Sequence, residues 1–218
     1  MGNLFRTSLM AALVAGLMAV AASATRADTV TFTTTGAFTG LSAGGVATGN
    51  GTSVSNATFT GMAGTIVIRF TGSNQSIAVP PQNGAVSLGI FTTSMTGNGA
   101  SGAGTLTLTI NQTSPSGGTN SFTGNLNASF IFSGVPGGGG TVVFSPASVT
   151  IGSVTYTLSN SGTVTLSIPP NNTGTFSTPG NSVEATVATV PEPTSMLLLG
   201  TGLIGLAGAA RRKFRGGK

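Results

Sequence analysis

The chain has 218 residues, including 35 glycines and no cysteine, histidine or tryptophan; only 5% of positions are charged, and the net charge is +5. That charge sits at the two ends: residues 1–27 carry Arg6 and Arg26, residues 191–218 carry five Lys and Arg against Glu192, and only Arg69, Asp28 and Glu184 lie between. A body with one arginine and no lysine cannot neutralise a run of phosphates, which excludes a nucleic-acid partner, and the lack of cysteine excludes disulfides within these residues.

The first element is a basic start followed by an apolar run of 14 residues, LMAALVAGLMAVAA at 9–22, and then the small-residue stretch ASATRA at 22–27. The run is shorter than the ~20 residues a bilayer-spanning helix needs. The pattern predicts a Sec signal peptide over 1–27, cleaved after Ala27 or, as the alternative, after Ala24, so the chain is expected to leave the cytoplasm through the Sec translocon.

From 28 to 190 apolar and hydroxyl side chains alternate. Period two, with many β-branched residues, is the signature of half-buried strands. Strands are expected near 29–35, 57–60, 64–70, 86–95, 104–112, 119–132, 140–145, 148–158, 162–168 and 182–190. In TLTLTI (105–110) one face is Leu106, Leu108 and Ile110, and TVTLSI (163–168) repeats the pattern with Val164, Leu166 and Ile168. The apolar face shifts by one across Gly152, which reads as a bulge. Turn signals fall at 80–84, 97–104, 114–118, 135–140 and 169–174. The Gly/Ala/Ser/Thr-rich segment 36–56 reads as a long loop or a weak edge strand. No helical period and no fixed repeat appears. The fold class is all-β, an antiparallel β-sandwich or jelly-roll-like body. Its expected core is Phe32, Phe59, Ile66, Ile68, Phe91, Leu106, Leu108, Phe130, Phe144, Tyr156 and Leu166.

The inventory of this body argues against catalysis. A serine nucleophile needs a nearby base, paired-carboxylate chemistry needs two acids in one site, and zinc or calcium sites need ligands that the composition does not supply. No catalytic residue, cofactor or metal ligand is therefore assigned. Arg69 in GTIVIRF falls with Thr65 and Val67 on the outward side of its strand, a solvated position whose only functional alternative is an anion contact. The Thr-rich rows TFTTT (31–35), TLTLT (105–109) and TVTLS (163–167) read as solvated strand faces. Read functionally, they would order water or bind carbohydrate. Asn56, Asn111 and Asn127 open N-x-S/T tripeptides, a frequency that chance supplies in a chain this rich in Asn, Ser and Thr.

The last element is VPEPTSMLLLGTGLIGLAGAARRKFRGGK. Val190, Pro191, Glu192 and Pro193 come first. Next is an uncharged stretch at 194–210, and then the cluster Arg211, Arg212, Lys213 and Arg215. Seventeen helical residues span about 25 Å, close to the ~30 Å of a hydrocarbon core, and snorkelling arginines would close the gap. A membrane helix over 194–210 with a cytoplasmic basic tail at 211–218 is expected. Gly200, Gly202 and Gly205 spell the dinucleotide fingerprint G-x-G-x-x-G. No acidic residue follows to hold a ribose, so they are read as small residues on a membrane helix.

This tail, in the order VPEP, Leu/Gly-rich helix and Arg-rich end, resembles the PEP-CTERM sorting signal, which is also catalogued as an ice-binding protein C-terminal domain. That second label describes the tail and is not carried to the body. The resemblance implies that an exosortase-type membrane protease recognises Val190 to Pro193, while the Arg211–Arg215 cluster holds the tail in the inner membrane. It also implies a transient anchor with the body on the periplasmic side, final placement at the cell surface or outside the cell, and an extracellular polysaccharide as partner. The body, 28–190, is thus expected to be a non-catalytic surface or matrix protein, or alternatively a carbohydrate- or ice-binding module acting through its Thr-rich faces.

Overall fold

Alternation along 28–189 produces strands because each apolar side chain finds a facing sheet to bury against. The computed structural model describes residues 28–42, 44–79, 85–189, 200, 202 and 203. The strands are β1 (Asp28–Thr39), β2 (Gly45–Thr48), β3 (Val54–Gly61), β4 (Gly64–Gly72), β5 (Asn74–Val79), β6 (Val86–Gly97), β7 (Gly99–Ser114), β8 (Gly118–Phe132), β9 (Pro136–Ser145), β10 (Ser148–Ile151), β11 (Val154–Leu158), β12 (Thr163–Leu166) and β13 (Asn181–Thr189). They form two curled antiparallel sheets. The first has the order β12-β9-β8-β7-β1-β5, and the second β10-β11-β13-β6-β4-β3-β2.

Both sheets turn one face to a shared core. All eleven expected core residues are buried, none more than 2% exposed. Three aromatic pairs sit within it: Phe32 edge-on to Tyr156 with ring centroids 5.6 Å apart, Phe70 with Phe91 at 5.3 Å, and Phe122 with Phe144 at 6.4 Å. Such pairs contribute beyond their buried area.

The structure corrects several expectations. Segment 148–158 is two strands, and Gly152 (φ 58°) sits in the two-residue turn between Ile151 and Val154, which face each other across a hairpin. The apolar face shifts there because the chain reverses direction. The glycines of 99–104 and 137–140 are strand interior, not turns. A Cβ at Gly102 would meet the Phe59 ring at 2.1 Å, and one at Gly140 would meet Leu166 at 2.8 Å, so these strands need glycine for the opposing side chains to fit. Segment 36–56 extends β1 to Thr39 and supplies β2, a four-residue strand at the edge of the second sheet. β5 forms an edge of the first sheet that the sequence pattern did not reveal. Ile168 lies beyond the end of β12 and is 46% exposed.

The expected signal peptide with its cleavage points Ala24 and Ala27, the motif Val190–Pro193 and the basic cluster lie outside the described residues. So does 194–210 except for Gly200, Gly202 and Leu203, which are helical. Among the described residues no helix is long and apolar enough to cross a membrane.

Candidate functional site

Outward positions of the first sheet form a lattice of hydroxyls and amides. In register across the strands, Thr35 faces Thr109 and Thr109 faces Ser121, while Thr39 faces Thr105 and Thr105 faces Asn125. At β12, Thr163 and Thr165 continue the lattice beside Val143 and Thr141. Rows lie about 4.8 Å apart across strands and ~6.7 Å apart along them. Apart from Asp28 at the start of β1, no strand of this sheet contains a charged residue. Not every Thr of the TFTTT row belongs to this face. Thr34 points inward, 2% exposed, where its hydroxyl donates to the Leu88 carbonyl at 2.5 Å and accepts from the Ser73 amide at 2.7 Å. The face is interrupted by exposed Val143 and Ile131, and the sheet that bears it is curled.

Arg69 lies on the outward side of β4 as expected, but other side chains hold it. Its Nε donates to Asn56 Oδ1 at 3.1 Å, and its guanidinium carbon stands 3.7 Å from the centre of the Phe176 ring. Phe176 belongs to the irregular segment between β12 and β13. Part of that segment runs along the outer half of β6, where the Gly174 amide donates to the Met95 carbonyl and the Ser177 amide to the Thr93 carbonyl, each at 2.8 Å. Burial of the Ser177 and Thr93 side chains fixes this strap. Neither Asn56 nor Phe176 was legible as a partner of Arg69, because alternation places Arg69 on a face without saying what covers it. A cation over an aromatic face contributes about 0.5–1 kcal/mol at exposed sites. Arg69→Ala is therefore expected to lower stability by about 1 kcal/mol, read as a small drop in melting temperature, and Arg69→Lys to recover only part of it because the Nε donor is lost.

A third feature is a groove of about 350 Å³ where the 159–162 turn meets β12 and β13. Its lining comes from the 159–162 turn, from β12, from the start of β13 and from Phe144 and Leu158; along β13, Val183 faces inward and Glu184 outward. Among the described residues, no three His, Cys, Asp or Glu side chains come together as metal ligands would.

Comparison with known proteins gives one match. Residues 189–213 fit the family model of the PEP-CTERM protein-sorting motif. The matched stretch includes Val190, Pro191, Glu192, Pro193, Arg211, Arg212 and Lys213, and Arg215 lies just beyond it. Neither the curated proteins nor the solved structures provide a match to the chain.

Proposed function

We propose that this protein, whose residues 189–213 are a PEP-CTERM protein-sorting motif, is an exported, exosortase-sorted, non-catalytic component of the cell surface or extracellular matrix. The observation that carries the reading is the tail itself, joined to a body almost free of charge. The signal peptide at 1–27 delivers the chain to the Sec translocon. The 194–210 segment then anchors it transiently in the inner membrane with the β body on the periplasmic side, and the membrane protease removes the tail at Val190–Pro193. Two antiparallel sheets with a large shared core suit a durable surface protein, because the fold needs neither metal nor disulfide to bury its apolar side chains. The neutral, hydroxyl-rich exterior is compatible with contact to extracellular polysaccharide.

Cell fractionation tests this. The body is expected outside the cell with residues 191–218 missing, as read by mass spectrometry of the C-terminal peptide. Recovery of the chain from the cytoplasm, or outside the cell with its tail intact, would overturn the reading.

A second reading, ice or glycan binding through the lattice on the first sheet, is favoured by the in-register threonines. Curling of the sheet works against a match to a planar ice lattice. We expect no thermal hysteresis from the purified protein even at millimolar concentration, and a clear hysteresis gap would move the assignment to ice binding.

A further inference from the structure

β13 ends at Thr189, which pairs with Val154, the first residue of β11, and Val154 in turn faces Ile151 across the Gly152–Ser153 turn. The first sheet brings one of its ends to the same place. A Cβ on Gly152 would collide with Ser116, and the Gln112 amide nitrogen donates to the Ser116 carbonyl at 2.8 Å and to the Ile151 carbonyl at 3.4 Å. β1 starts there too, since the Ser114 hydroxyl donates to the Thr29 carbonyl at 3.0 Å. Asp28, the first residue of β1, and Thr189, the last of β13, therefore stand at one end of the two-sheet body. The opposite end carries the turns at 62–63 and 133–135. They are joined through Asn98, whose amide donates to the Ala63 carbonyl at 2.7 Å and whose carbonyl accepts from the Phe132 amide at 3.0 Å. β8 alone runs from one end to the other, 15 residues and roughly 45 Å.

We propose that the end formed by residues 114–118, 151–154 and 189 is the surface that the body presents to a lipid bilayer, held there by the shortness of its tether. This arrangement rests on the 194–210 anchor proposed above and adds which part of the body meets the lipid. Only residues 190–193 lie between β13 and the uncharged stretch. From Thr189 to Thr194 the chain can reach at most about 18 Å, at ~3.6 Å per residue. A headgroup layer takes about 5–8 Å of that, and the remaining ~10 Å is no more than the spacing of two packed sheets. The N-terminal side matches. Only residues 23–27 separate the first apolar run from Asp28, so before cleavage both hydrophobic segments adjoin the same end of the body.

The chemistry of this end permits the contact. Among its described residues only Asp28 is charged, and the turns at 115–117 and 152–153 are built from Pro, Ser and Gly, so little charge has to be desolvated against headgroups. No Lys or Arg stands there to draw anionic lipid, which leaves the tether as the cause. Hydrophobicity alone would choose the other end. Met62 and Val135, the most exposed large apolar side chains among the described residues, sit there together with Ile131. Between the ends, the sheet faces expose single apolar side chains and an arginine already held by Asn56 and Phe176, which gives a bilayer no patch on which to lay the body flat. Met62 and Val135 are thus carried away from the membrane.

The chain has no cysteine, so a single substitution places a single fluorophore. Ser116→Cys marks the proposed contact and Ser133→Cys the far end, and both serines are exposed. The labelled protein is the mature chain, residues 28–218 with the tail uncleaved, in vesicles of phosphatidylethanolamine and phosphatidylglycerol that carry a nitroxide on a headgroup lipid. Flotation reads whether it is membrane-bound. The label at 116 is expected to be quenched at least about threefold more strongly than the label at 133, given their separation of roughly 45 Å. A ~20-residue Gly/Ser linker inserted between Thr189 and Val190, about 25 Å in root-mean-square length, should bring quenching at 116 down to the level at 133 without changing flotation. A chain that does not float overturns the anchor reading and the proposal with it. A chain that floats with both labels quenched alike, or whose quenching at 116 survives the linker, overturns the proposal alone.

Discussion

Deleting residues 191–218 is expected to abolish processing and send the body into the medium as an unprocessed, unanchored form, with near-complete loss of the sorted species. The physical basis is the order of the tail. Glu192 stands between Pro191 and Pro193, and prolines disfavour helix in the residues before them, so the motif is set apart in sequence from the apolar stretch that follows. On the proposed reading the following 17 uncharged residues are the anchor, about 25 Å as a helix against a ~30 Å hydrocarbon core, and the cations beyond them would resist translocation. Substituting only Pro191, Glu192 and Pro193 by alanine separates the two roles. The protein should then stay membrane-associated and uncleaved, because the anchor remains and the recognition motif is gone. Replacing Arg211, Arg212, Lys213 and Arg215 by glutamate should weaken retention instead. Immunoblots of membrane, periplasmic and medium fractions read all three outcomes. Unchanged localisation after the full deletion would mean that the motif does not direct the protein.

The second large effect concerns Tyr156, the only tyrosine in the chain and wholly buried. It belongs to β11 of the second sheet and reaches the first. Its ring stands edge-on to Phe32 of β1, and its hydroxyl donates to Gln112 Oε1 of β7 at 2.8 Å. Gln112 is itself 1% exposed, and its amide nitrogen donates to the Ser116 carbonyl at 2.8 Å. Tyr156→Phe leaves a buried acceptor without its donor, a cost of about 1–3 kcal/mol. Tyr156→Ala also removes the aromatic volume and is expected to cost about 3–5 kcal/mol, a large share of the ~5–15 kcal/mol that holds a domain folded. At roughly 2–4 °C per kcal/mol for a chain of this size, thermal melts by circular dichroism resolve both. A melting temperature unchanged by Tyr156→Phe would mean that the cross-sheet hydrogen bond contributes nothing.

Tyr156 also sets an alkaline limit. Burial pushes its phenol well above the ordinary tyrosine value. A raised folded-state value means that the neutral form is favoured in the fold. Its stabilisation is complete below the ordinary value of about 10 and erodes as pH climbs past it toward the folded value, by up to about 1.4 kcal/mol per pH unit. Melting temperatures should fall above pH ~10 in the parent and fall less steeply in Tyr156→Phe. Because there is a single tyrosine, phenolate absorbance follows that ionisation directly.

The core was legible because burial in a strand is a local property. Leu106 and Leu108 share a face by period two wherever the strand goes, and the partner sheet only has to exist. The missed strands show the limit of that logic. β2 and β5 are edge strands with half-exposed patterns, and the glycines of β7 and β9 carry no side chain with which to alternate. Their strand character comes from neighbours that need room: Phe59 against Gly102, and Leu166 against Gly140. The candidate groove was not legible at all. Asn160 and Asn181 are ordinary polar residues in sequence, and only the backbone angles and the approach of β13 set them around one space.

By itself, then, the sequence determined where the charge lies, which residues face inward and where the sorting tail begins, because each of these depends on neighbours a few positions apart. The tertiary structure decided that Phe176 covers Arg69, that Gln112 receives a hydrogen bond from a tyrosine 44 residues away, and that Asn181 reaches from β13 to the Thr165 carbonyl of β12. Those pairings depend on which strands become neighbours across two sheets, and no local period carries that information.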